Sequence, residues 1–165
     1  MSSSSAAAPA PRSALEQERV DALLRDIFER RIHFNELLGL KVVSLAPDRP
    51  QLSFAMRRDL VGNFIQGRLH GGMIATSLDV AGALAVSVAV AAKHGHETAE
   101  QISHRFNRLG TIDLRVDYLR PGMGERFTAT GKVIRLGGRI ASVQMTLESD
   151  TGETIATGAA AYVIT

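Results

Sequence analysis

One stretch, Asn63 to Ala92 (NFIQGRLHGGMIATSLDVAGALAVSVAVAA), constrains the fold more than any other part of the chain. A polar, glycine-bearing loop runs into His70-Gly71-Gly72. From Gly71 to Ala92 nearly every residue is then Ala, Val, Leu, Ile, Met, Gly, Ser or Thr. As a helix this segment would be about 33 Å long at 1.5 Å per residue. Apolar residues on all sides of a helix require burial all round rather than a surface stripe. The one charge in the segment is Asp79. A carboxylate in such an element costs several kcal/mol unless a partner compensates it, so Asp79 marks where chemistry is to be sought. Behind it the uncharged run is 13 residues, short of the ~20 that span a bilayer. The expectation is a buried core helix and no membrane association.

Composition narrows the function classes. The 165 residues suit one domain, large enough to bury roughly 70% of its unfolded surface. The absence of cysteine excludes disulfides, thiolate metal sites and a cysteine nucleophile. With a net charge of +2 and no run of five basic residues, a nucleic-acid partner is not expected, although a pI near 9.4 suits an anionic ligand. Met1 to Ala10 is rich in Ser, Ala and Pro without a basic or bulky apolar segment, so it reads as no targeting sequence and the protein as cytoplasmic.

In chain order, residues 1–12 read as a disordered tail and 13–33 as an N-terminal helix. Ser13-Ala14-Leu15-Glu16 has capping-box form, and Val20, Leu23, Leu24 and Ile27 follow helical spacing. A short helix from Asn35 to Leu38 is closed by Gly39. Leu40–Leu45 and Gln51–Arg57 read as a strand pair across Pro47-Asp48-Arg49-Pro50. After the core helix, the segment from Lys93 to Gly110 reads as a solvent-facing loop. Ile112, Leu114, Val116 and Tyr118 alternate with Asp113, Arg115 and Asp117 in a half-buried strand. Further strands run to Gly137-Gly138, from Ala141 to Asp150, and from Thr154 to Ile164, with hairpin turns between them. A helix, two strands, a long buried helix and four strands make an α+β architecture.

The start of the core helix carries the strongest chemical pattern. The first N–H groups of a helix lack intrahelical partners and sit at the positive end of its dipole. Glycine at Gly71 and Gly72 lets a substrate oxygen approach that backbone closely. Together these form an oxyanion hole, in which one donor contributes roughly 3–4 kcal/mol to a transition state. Asp79 lies two turns further along, on the order of 10 Å away, too far for one carbonyl to meet both groups within a single subunit.

The set Asn63, Gly67, His70-Gly71-Gly72 and Asp79 resembles the pattern of hotdog-fold acyl-CoA thioesterases, in particular the phenylacetic-acid-degradation branch, over residues 34–165. The resemblance implies a long central helix wrapped by a curved antiparallel sheet. It also implies a homodimer with its active site at the interface, which can pair further into a dimer of dimers, a homotetramer. The substrate would be an acyl-CoA, with no metal and no cofactor, since CoA is part of the substrate. The Gly71 N–H would polarise the thioester carbonyl. Asp79 of the partner would be nucleophile or general base. His70 would shape the loop and orient the Gly71 N–H, and Asn63 would hydrogen-bond near the attacking group. Six residues separate Asn63 from His70 where many members have five, so the loop must bulge, and Gln66 could take the role of Asn63. Thr111 falls where a hydroxyl would hold water beside the carboxylate. Gly72 would border the substrate, and Gly138 and Arg139 match a family hairpin that would approach the CoA phosphates.

Two alternatives belong to other reactions or classes: an acyl dehydratase or hydratase on the same fold, and a non-catalytic acyl-CoA-binding module. His94-Gly95-His96-Glu97 lacks the spacing and fourth ligand of a metal site. The small residues Ala81, Gly82, Ala83 and Ala85 would either leave a channel for an alkyl chain or let helix and sheet pack closely.

Overall fold

The computed structural model describes residues 9–164. Its elements are α1 (Ala14–Asp26), a π turn (Ile27–Arg31), α2 (His33–Leu38), β1 (Lys41–Ser44), β2 (Gln51–Ala55), β3 (Val61–Asn63) and β4 (Arg68–Leu69). They continue with α3 (Gly71–Lys93), α4 (Ala99–Arg105), β5 (Gly110–Tyr118), β6 (Arg126–Leu136), β7 (Ile140–Ser149) and β8 (Thr154–Val163). Six strands form one antiparallel sheet in the order β1-β2-β6-β7-β8-β5, and β3 and β4 pair apart from it. The long helix α3 packs on this sheet, giving the α+β, central-helix architecture expected of a hotdog fold.

The reason α3 can be apolar all round is visible in its contacts. Leu78, Ala81, Leu84 and Val86 are fully inaccessible, and the cover comes mainly from the sheet, with α1 also packed on the helix. By length and composition α3 could cross a membrane, yet most of its apolar surface is already enclosed by its own chain. The small residues decide for close packing at two of the four positions. A Cβ added at Gly131 on β6 would meet the Ala81 carbonyl and lie 2.7 Å from Ala85 Cβ, so helix and strand touch with no channel between them. Phe54 and Phe127 stack across the β2–β6 pair with centroids 5.3 Å apart and complete that face of the core.

Turn chemistry places the remaining elements as the sequence predicts. Gly39 ends α2 at φ 73°, and Gly152 turns β7 into β8 at φ 80°, both in the left-handed region that favours glycine. The β3–β4 pair is irregular between Val61 and Asn63, and the segment after Asn63 closes as a turn in which the Gly67 N–H donates to the Asn63 carbonyl at 2.8 Å.

Three expectations are corrected. The segment 93–110 is no mere solvent-facing loop: it contains α4, opened by a capping box of Thr98 and Gln101 and anchored by the fully buried Ile102. The capping box at α1 is only half formed. Ser13 Oγ accepts from the Glu16 N–H, but the Glu16 carboxylate instead accepts from the Ala99 N–H at 2.7 Å. A charged acceptor at the start of α4 serves a free helix N–H better than a second bond at its own cap. The expected tail, residues 1–12, falls mostly outside the described residues. Arg12, however, is fastened, its guanidinium donating to the carbonyls of Ala91 and His94 at the end of α3. Those carbonyls have no partners within the helix, and a cation suits that end of the dipole.

Candidate active site

Two groups of side chains lie along α3, one at its first residue and one two turns on. At the start, His70 is the N-cap, and its Nδ1 accepts from the Gly72 N–H at 2.8 Å. This bond requires glycine at position 72, because a Cβ there would lie 2.9 Å from Nδ1. His70 is itself held by its backbone N–H donating to the Leu60 carbonyl at 2.8 Å. With the Gly72 N–H taken by imidazole and the next two by the His70 carbonyl, the Gly71 N–H is without an acceptor among the described residues. The Tyr118 hydroxyl on β5 donates to the Gly71 carbonyl at 3.1 Å, tying the helix start to the edge strand. A cavity of about 400 Å³ opens here, bordered by Arg68, Gly71, Ile74, Tyr118 and Arg120.

Asp79 is half-buried, and its partners are hydroxyls rather than a cation. Thr111 Oγ1 donates to Oδ1 at 2.8 Å. The Tyr162 hydroxyl approaches both the Asp79 backbone carbonyl, at 2.7 Å, and Oδ1, at 3.1 Å. Neutral donors compensate the carboxylate while leaving its charge unpaired by a cation, and among the described residues nothing donates to Oδ2. Burial, then the negative charge of Asp79 and the hydrogen bond to it, pushes the Tyr162 phenol well above its ordinary range, so it stays protonated as a donor. The phenol fits only because position 82 is glycine: a Cβ there would fall on the Tyr162 hydroxyl and 2.9 Å from Cζ.

The other candidates stand apart from these two groups. Asn63 Oδ1 accepts from the N–H groups of Ile65 and Gln66, both at 3.1 Å, so it holds its own turn, with Nδ2 as its remaining donor. Gln66 lies exposed in that turn. Gly138 and Arg139 form the tip of the β6–β7 hairpin, and the Arg139 carbonyl accepts from the Ile164 N–H at 3.0 Å. Strand pairing puts this hairpin at the Thr111 end of the sheet, not at the Gly71 end. Glu97, from the His94–Glu97 segment, is engaged by the Arg105 guanidinium.

Sequence reasoning missed Tyr162 and Gly82. Tyr162 sits in a strand whose alternation marks it as core, and only the pairing of β8 with β5 brings it under the helix beside Thr111. The one available signal was a phenol in a strand otherwise built of Ala, Gly, Thr, Ile and Val.

Helix, sheet and the two polar groups on α3 define a class. Residues 66–156 match the family model of the thioesterase superfamily, and the chain belongs to that family. Among its relatives is the Escherichia coli medium/long-chain acyl-CoA thioesterase YigI, 38% identical over 152 residues that cover 92% of this chain and 98% of the relative. A crystal structure from Shewanella oneidensis, described as related to the thioesterase superfamily, superposes with TM-score 0.86 at 38% identity, covering 93% of this chain and all of the other. A variant of the phenylacetic acid degradation protein PaaI from Thermus thermophilus superposes with TM-score 0.63 at 27% identity, over 81% of this chain and 99% of the other.

Proposed function

We propose that this protein hydrolyses medium- or long-chain acyl-CoA thioesters as a homodimer. The observation that carries the reading is the placement of an unclaimed N–H at Gly71 and an open carboxylate oxygen on Asp79, eight residues apart on one helix. At 1.5 Å per residue the two are about 12 Å apart, so a single carbonyl cannot engage both from one protomer. A second copy resolves this. Strand β5 is one of the two edge strands of the sheet and is exposed along much of its length. Its Thr111 end touches Asp79 and its Tyr118 end touches Gly71. Antiparallel pairing of two such strands about a two-fold axis brings the Asp79 end of one protomer toward the Gly71 end of the other.

In this dimer the thioester oxygen accepts the Gly71 N–H of one protomer. Asp79 Oδ2 of the partner either adds to the carbonyl carbon or removes a proton from water that adds. The carbon–sulfur bond then breaks, and CoA leaves as the thiolate; where Asp79 itself has added, water cleaves the resulting mixed anhydride to release the acid and restore the carboxylate. His70, by taking the Gly72 N–H, keeps the first donor aimed outward. Thr111 fixes the carboxylate through Oδ1, so that Oδ2 is the reacting oxygen. Asn63 and Gln66 reach toward the substrate from the β3–β4 turn with their amide groups, Gly72 leaves room for the substrate, and Gly138 and Arg139 offer a charged tip for CoA phosphate. The name of the Escherichia coli relative supports the acyl chain class.

The test measures thiol release in mixed dimers. Asp79→Asn keeps the Oδ1 acceptor and removes the base, an expected loss of about 10²–10⁴-fold. Gly71→Pro deletes the N–H at a position where helices accept proline, and its Cβ would make only ordinary contact, 3.5 Å from Tyr118 Cε1. Each variant alone should be inactive, and mixed subunits should recover about a quarter of wild-type activity, since half of the C2 dimers then hold one intact site. No recovery on verified subunit exchange would sink the shared-site reading, and full activity of Asp79→Asn would sink the role of the carboxylate.

A further inference from the structure

Behind Thr111 and Tyr162 lies a cavity of about 260 Å³ that the mechanism above does not use. Its walls come from Ile27, Phe28 and Ile32 around the π turn, from Ala83 on α3, and from Phe106 and Leu109 before β5. Every side-chain hydroxyl in the lining is already committed. Thr111 and Tyr162 donate to Asp79, and Ser87 Oγ donates to the Ala83 carbonyl at 2.9 Å. A polar ligand would lose its water and find no side-chain partner, so the space suits hydrocarbon. It is no sealed packing defect: Ile32 is 39% exposed, and Ile27, Phe106 and Leu109 are only partly covered.

The backbone is irregular at the same place. The Ile32 N–H donates to the Ile27 carbonyl at 3.0 Å, a bond spanning five residues. This widened turn rotates the residues that follow it out of α-helical register, and such turns concentrate at functional sites. The π turn also lies outside residues 66–156, the segment matched by the family model.

We infer that this chamber receives the acyl chain of the thioester, and that the π turn, Phe106 and Leu109 set the chain length it accepts. The inference rests on the hydrolase reading. The protomer that supplies the carboxylate also supplies the chamber, because the two hydroxyls that hold Asp79 form the chamber's inner wall. The chain runs from the carbonyl at Gly71 past the partner's carboxylate and into the apolar space behind it.

The chain contains no tryptophan, so Phe106→Trp places a single fluorescent reporter in the wall. Decanoic acid should shift its emission to the blue with a saturable dependence. Ala83→Leu, which fills the chamber from the helix side, should abolish that response. In hydrolysis it should lower kcat/KM for decanoyl- and palmitoyl-CoA at least about tenfold relative to butyryl-CoA. Leu109→Ala, which enlarges the chamber, should shift preference toward the longer chain and keeps the test available if Ala83→Leu fails to fold. Absence of an emission change together with equal losses at every chain length overturns the chamber. An emission response in a protein that hydrolyses no acyl-CoA keeps the chamber and overturns the hydrolase reading. Hydrolysis without an emission response or a change in chain-length preference does the reverse.

Discussion

Replacing Gly82 by alanine tests how the carboxylate is held. In an ordinary helix this change is stabilising by about 1 kcal/mol, because glycine has the larger backbone entropy to lose. Here the new Cβ would fall on the Tyr162 hydroxyl and lie 2.9 Å from Cζ and 3.0 Å from Cε2. The phenol cannot yield cheaply, since Tyr162 is fully buried and its hydroxyl is bonded to Asp79. Overpacking costs about 1–3 kcal/mol, and losing a hydrogen bond to a charged group about 1.5–3 kcal/mol. Set against the helix gain, the net destabilisation is about 1.5–5 kcal/mol. For a chain of this size each kcal/mol shifts Tm by roughly 2–4 °C, so Tm followed by circular dichroism should fall by roughly 3–20 °C. Thiol release at a temperature where the variant is folded should fall as well, because the carboxylate loses one of its two hydroxyl donors. The double variant Gly82→Ala/Tyr162→Phe removes the atom with the worst contact and should be less destabilised than the sum of the single changes. A Gly82→Ala protein with raised Tm and wild-type activity would refute the reasoning, since it would show that Tyr162 does not occupy the space beside Asp79.

Glu97 is held well below its ordinary value of 4.5, first by the hydrogen bond from Arg105 and then by its charge. A depressed carboxylate contributes stability that is present above the unfolded value and lost as pH falls through the folded one. Tm should therefore drop below about pH 4.5, and Glu97→Gln should flatten that acid limb; an unchanged limb would remove the ion pair from the stability of α4. Gly131→Ala forces a Cβ against the Ala81 carbonyl and Ala85 Cβ, and with backbone on one side it should cost about 1–3 kcal/mol or more in denaturant titrations. A neutral result would mean that β6 and α3 have slack between them.

The sequence by itself determined the layout. An apolar run with a single Asp could only be a central helix, alternating strands with Gly and Pro turns had to cover it, and His70-Gly71-Gly72 before that run announced an open helix N-terminus. These features are local, set by periodicity of 3.6 or 2 and by turn residues, and they survive unchanged in the folded chain. What lay beyond it were the pairings between distant segments. Nothing near Tyr162 indicates that its hydroxyl would meet a carboxylate 83 residues away, because that meeting depends on the β5–β8 register and on Gly82 leaving space. Nor could spacing reveal that the Glu16 carboxylate would leave its own helix for α4, or that a widened turn at Ile27–Arg31 would help wall a chamber behind Asp79. Periodicity fixes which face of an element is apolar. Which donor reaches which acceptor, and which apolar wall stays uncovered, is decided only when those faces are packed against one another in three dimensions.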